Sequence, residues 1–237
     1  MFSWISRRVL CWTVAALFLI VLWDATGLDL PIARLFGTPE GFPLRGSHAF
    51  TMAFHEIPRT LSSLLVAALI FGVFKPWGFL GRLSKSQRVQ LAVSIVGAML
   101  TVTALKRLSA TSCPWDVSEF GGVASYVSHW TLGVRDGGPG HCFPAGHASA
   151  AFGFLAGWFV IRRAAPEIAA RWLTAALVLG LALGFAQQLR GAHYMSHTLW
   201  SGFICWSVGA AVDLACHAIQ FKKRMAPVAT SDRELQP

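Results

Sequence analysis

The stretch Arg190-Gly-Ala-His-Tyr-Met-Ser-His197 separates two apolar runs, residues 172–189 and 198–219, and its reading decides the fold. A short segment with one fixed cation and two imidazoles, set between runs of membrane-spanning length, belongs at a membrane surface. His193 and His197 are four residues apart, which places them on one face if a helix begins here. Two further stretches have the same character. Cys142-Phe-Pro-Ala-Gly-His147 opens another apolar run, and Lys106-Arg107, followed by Cys113-Pro114, closes one. Cations and histidines at three membrane-edge positions predict one site for an anion.

Composition agrees. Of the 237 residues, 54% are hydrophobic and 13% charged, against about 25% charged in a soluble domain. The chain reads as all-α, an integral membrane helical bundle with a lipid bilayer around it. The net charge of +9 does not imply nucleic acid, because the cations cluster between apolar runs as orienting loop charges do. The basic start at Arg7-Arg8 resembles a signal peptide, but the apolar run ends at Trp23-Asp24 without a small-x-small cleavage site. It is read as an uncleaved first span.

Six spans are predicted: residues 9–23, 61–74, 89–105, 144–161, 172–189 and 198–219. The second is short and needs residues from before Pro58 or from 77–80. Residues 28–36 form a candidate amphipathic helix on the surface, and Gly37-Thr-Pro39-Glu-Gly41 reads as a turn. The loop 108–143, with Gly121-Gly122 and Gly137-Gly-Pro-Gly140, reads as irregular. Pro144 is expected in the first turn of the fourth helix, where its missing N–H costs nothing. The membrane unit is taken as residues 1–220, and 221–237 as a polar cytoplasmic tail. An even number of spans puts both termini on one side. That side carries Arg7, Arg8, Lys75, Arg82, Lys85, Arg88, Arg162, Arg163 and Arg171, so it is expected to be cytoplasmic. All three motifs fall on the other side, the external face of the inner membrane.

Gly191-Ala-His-Tyr-Met-Ser-His197 resembles the last motif, Gly-x-His-x-x-x-Asp, of the type-2 phosphatidic acid phosphatase superfamily. Pro144-Ala-Gly-His147 resembles its Pro-Ser-Gly-His, and Lys106 with Cys113-Pro114 resembles its Lys-x6-Arg-Pro. Order and spacing agree from Lys106 to Gly202. Four positions differ: Cys113 replaces Arg, Ala145 replaces Ser, His197 replaces Asp, and Gln187 stands where the family has Arg. Arg190 is three residues before His193 instead.

The resemblance implies a lipid-phosphate phosphatase with His193 as nucleophile, His147 as acid and His197 as the residue that orients His193. Lys106, Arg190, Arg107 and the backbone at Gly146 are the candidate phosphate ligands. Neither a cofactor nor a metal is expected, because the cationic side chains neutralise charge. Cys113 and Cys142 both fall in the external loop beside motifs, so a disulfide between them is a candidate, against two free thiols. Three alternatives stand beside the phosphatase. One is a phosphotransferase moving phosphate between lipids such as a polyprenyl diphosphate and lipid A. Another is a metal site using His193, His197, His147 and His141. The third is a catalytically silent lipid-binding or transport protein.

Overall fold

The structure is a computed structural model that describes residues 4–225 apart from residue 132. It is an all-α membrane bundle, with no strand among the described residues. The helices are α1 (Trp4–Thr26), α2 (Asp29–Ala33), α3 (His48–Thr51), α4 (Ile57–Phe74), α5 (Lys85–Leu108), α6 (Gly146–Phe152), α7 (Leu155–Ile161), α8 (Pro166–Leu189) and α9 (Met195–Met225). Five stretches are long and apolar enough to cross a membrane: Arg7–Thr26, His48–Arg82, Lys85–Leu108, Pro166–Leu189 and Met195–Gln220. The sixth, Gly146–Ile161, is shorter and is divided between α6 and α7. Of the expected polar tail, residues up to Met225 continue α9, and 226–237 lie outside the described residues.

The second span is completed from before Pro58. Proline cannot donate the i→i−4 hydrogen bond, and the helix passes this point through a π-helical turn, Met52–Glu56, that joins α3 to α4. Such turns absorb an interruption without ending the helix. The expected surface helix over 28–36 is reduced to five residues in α2.

Leu91, Ile95, Ala98 and Val102 recur at helical spacing on α5 and are buried against Ala148, Phe152, Leu155 and Cys205. Backbones approach closely where side chains are absent. A Cβ at Gly184 would lie 2.1 Å from Thr198 of α9, the small-residue packing typical of helices in lipid. At the end of the bundle away from the motifs, buried Asp213 accepts from Gln90 Nε2 at 2.9 Å and from Arg162 Nη2 at 3.0 Å, and pairs with Arg163. Arg82 pairs with Glu167 at 2.6 Å there.

The fourth segment departs from expectation at its start. Pro144 is outside the helix, behind a cis Phe143–Pro144 bond, and Ala145 is the N-cap of α6. Two bonds fix this entry: Ala145 N donates to His197 O at 3.1 Å, and Ser201 Oγ donates to Ala145 O at 2.9 Å.

Candidate active site

His193 sits in the tight connection between α8 and α9. Gly191 takes a left-handed φ of +71°, open to glycine at no cost. The Phe42 ring occupies the space where a Cβ would lie, 2.3 Å away. The chain therefore turns sharply and delivers His193 inward, 1% exposed. Across the gap, His147 on α6 places its Nδ1 3.1 Å from His193 Nε2. Two histidines from separate helices thus share one hydrogen bond, with a single proton between those nitrogens.

The other nitrogen of His193, Nδ1, lies 3.4 Å from Cys142 Sγ. Cys142 is joined to Cys113 in a disulfide, with sulfurs 2.02 Å apart. The sulfur has no proton to donate, so its approaches to His193 and to Ala192 O, at 2.9 Å, are close packing. Burial drives His193 well below the usual imidazole value, and His147, Lys106 and His197 push the same way, while the Cys142 backbone opposes them. The ring is therefore neutral at ordinary pH.

Lys106 ends α5 beside this pair. Its Nζ would lie 3.5 Å from a Cβ built on Gly146, so the ammonium rests over the bare backbone at the start of α6. Arg107 next to it is exposed, and no hydrogen bond joins it to the other candidates. Arg190 is 8% exposed and close enough to His147 to act on it electrostatically. Its Nη1 donates to Gln187 Oε1 at 3.1 Å, its Nη2 reaches Arg45 O at 3.4 Å, and its Nε has no partner. The Trp115 ring lies 5.9 Å from the guanidinium. Burial lowers the Arg190 pKa, although arginine stays charged in proteins.

Gln187 is 0% exposed and stands where the resembling family has a cation. Its Nε2 donates to Phe54 O at 2.9 Å. Phe54 lies in the π-helical turn before Pro58, so Gln187 ties that turn to Arg190 with one amide.

His197 is also buried, at 1% exposure. Its ring lies 5.9 Å from that of His193, but the expected direct hydrogen bond between them is not formed, and His197 Nδ1 has no partner. His193 Nδ1 faces the disulfide instead. Ligand atoms of Cys142, His193 and His197 fall within 4.8 Å of one another. The sulfur is spent in the disulfide, leaving two imidazoles, short of a four-ligand tetrahedral set. His141, the other residue of the metal alternative, is exposed.

Four residues at the site were not singled out from the sequence. His55, in the π-helical turn, packs its ring 4.3 Å from that of His147, and its Nδ1 lies 2.7 Å from Glu56. Asp29 caps α9, accepting from Ser196 N at 3.1 Å and from Ser196 Oγ. His129 stacks on Phe143 at 4.2 Å and meets His197 edge-on at 5.8 Å. Asp24 lies 3.5 Å from His129. The only local signal was the polar cluster His55-Glu-Ile-Pro-Arg59 just before an apolar run.

The family model described as the PAP2 superfamily matches residues 87–223. Comparison with curated proteins and with solved structures gives no match.

Proposed function

The chain belongs to the PAP2 superfamily, whose members generally cleave phosphate esters, and we propose that it is a lipid-phosphate phosphatase working at the external face of its membrane through a phosphohistidine intermediate. The observation that carries this reading is the 3.1 Å approach of His147 Nδ1 to His193 Nε2, with Lys106 and Arg190 beside the pair.

A phosphoryl group entering between the rings meets His193 Nε2 as nucleophile. The Nε2–P bond forms as the P–O bond to the lipid breaks, and His147, made an imidazolium by the negative charge of the bound phosphate, gives its proton to the departing oxygen. Water then attacks phosphorus, His147 takes its proton, and the N–P bond breaks to release phosphate. Neutral His193 has the lone pair this requires. Lys106 and Arg190 meet the charge on the non-bridging oxygens, and the Gly146 backbone lets them approach closely. His197, without a direct bond to His193, acts by packing against it.

Two features support a lipid as substrate and an external site. An apolar groove of ≈ 320 Å³ runs between α4, α6 and α8, lined by Pro58, Leu61, Leu65, Ala150, Trp172 and Leu179. Ala150 is three residues beyond His147, and Pro58 three beyond His55, so a hydrocarbon tail in this groove leads its head to the histidines. The disulfide suits an oxidising compartment, and the Lys/Arg bias favours the cytoplasm for the opposite end.

The test is phosphate release by purified protein in detergent from phosphatidic acid, phosphatidylglycerol phosphate, a polyprenyl diphosphate and lipid A. Release from at least one lipid, lost in His193→Ala, is expected. Transfer of phosphate to a second lipid without release would replace the hydrolase reading with a phosphotransferase.

A further inference from the structure

A small pocket, with ≈ 20 Å³ of room for a water-sized group, opens at the motif end of α1, lined by Trp23, Asp24, Asp29, Tyr126 and His129 among others. It is distinct from the histidine pair but shares a wall with it, because His129 stacks on Phe143 and meets His197 edge-on. Its chemistry is acidic. Asp24 Oδ2 accepts from the indoles of Trp130 at 2.9 Å and Trp200 at 2.8 Å. Asp29 is engaged by Trp23 Nε1 at 3.1 Å and by Ser196. No lysine or arginine among the described residues forms an ion pair with either carboxylate.

One atom in this pocket is left without any partner. The Asp24 side chain is 6% exposed, yet its Oδ1 has no hydrogen-bond partner, while His129 Nε2 faces Asp24 Oδ2 at 3.5 Å. A buried acceptor without a donor costs about 1–3 kcal/mol, so the pocket is built for something that donates. We propose that it binds a primary ammonium group. Such a group offers three N–H donors and a positive charge. Asp24 Oδ1 supplies the opposing charge, and the Tyr126 hydroxyl is a further acceptor. The rings of Trp23 and Tyr126 favour a cation over their faces. Burial holds His129 below the usual imidazole range despite the pull of Asp24 and Asp29, so the ring adds no competing charge beside Asp24.

A divalent metal fits less well. Calcium takes six to eight oxygen ligands, whereas the other three carboxylate oxygens here already accept hydrogen bonds. A quaternary ammonium has no N–H to satisfy Asp24. The shared chemistry is therefore R–NH3+, carried either by a free amine or by an aminated lipid headgroup at this interface. The binding claim stands whether or not the hydrolase reading does.

The test uses the full chain in detergent, following thermal unfolding against ethylammonium, tetramethylammonium and sodium at equal ionic strength. Saturable stabilisation by ethylammonium alone is expected. Asp24→Asn should weaken it at least tenfold, since an amide oxygen can keep the indole bonds while the charge is lost. Tyr126→Phe provides a second variant, and it should also weaken ethylammonium. Equal responses to the three cations, or unchanged ethylammonium affinity in either variant, would overturn the proposal. Nanodiscs identify the source. Phosphatidylethanolamine that stabilises wild type over Asp24→Asn, with no further gain from ethylammonium, assigns the site to a headgroup. Stabilisation by ethylammonium equally in phosphatidylethanolamine and phosphatidylcholine discs assigns it to a free amine. A response in neither disc overturns the proposal.

Discussion

Gln187 Oε1 accepts from Arg190 Nη1 at 3.1 Å while the same amide donates to Phe54 O at 2.9 Å. One neutral side chain thus links the position of the candidate phosphate cation to the π-helical turn before Pro58. Gln187→Leu removes both hydrogen bonds, at about 1–3 kcal/mol each. Lower thermal stability and a KM raised roughly tenfold are expected. Gln187→Glu can still accept from Arg190 but cannot donate to Phe54, so it should recover KM more than stability. Wild-type kinetics in Gln187→Leu would remove the positioning role.

His193→Ala should abolish turnover with expression intact. His147→Ala should lose roughly 10²–10⁴-fold, the usual worth of a general acid, more with poor leaving groups than with good ones. Acid-labile, base-stable phosphate on wild-type protein during turnover is the accompanying signature. Phosphate release by His193→Ala at the wild-type rate would end the phosphohistidine mechanism.

The disulfide joins residues separated by 29 in sequence. The chain-entropy model assigns such a loop about 3–4 kcal/mol. Reductant should lower the melting temperature of wild type and leave Cys113→Ser, already lowered, unchanged. Thiol labelling of both cysteines without reductant, in protein from its native compartment, would contradict the bond.

His193 also predicts a pH dependence of stability. Its folded-state pKa lies below the ~6.5 of an unfolded chain. Above that pH the ring is neutral in both states. Below it the unfolded chain takes a proton that the fold refuses, so stability falls as pH drops, by up to about 1.4 kcal/mol per pH unit for this ring. Melting temperatures between pH 7.5 and 5 should fall more steeply for wild type than for His193→Gln. Identical slopes would mean that His193 is protonated in the fold.

For topology, reporter fusions after Gly133 and after Arg163 should report opposite sides of the membrane, the first external. A cytoplasmic signal after Gly133 would invert the proposed orientation.

Apolar runs made the spans legible, and the motifs brought His193, His147 and Lys106 into view, because both signals are local. What escaped was set by tertiary packing. Asp24, Asp29 and His55 lie more than 90 residues before His147, and nothing near them in sequence points across that distance. Pro144 suggested a helix start, but the bonds from Ala145 N to His197 O and from Ser201 Oγ to Ala145 O delay it to Gly146. Gln187 could be read as a missing cation. Its role became visible only when the Phe54 carbonyl and Arg190 were found on either side of it.

The region shared with the family begins at residue 87, yet Asp24, Asp29, Phe42, Arg45, Phe54 and His55 all precede it and all touch the walls or supports of the site. The molecule therefore divides its labour along the chain. In the proposed reaction the later helices carry the reacting groups, and the earlier segment supplies walls and supports around them. Selectivity can drift with residues 24–55 while the histidine pair is left untouched.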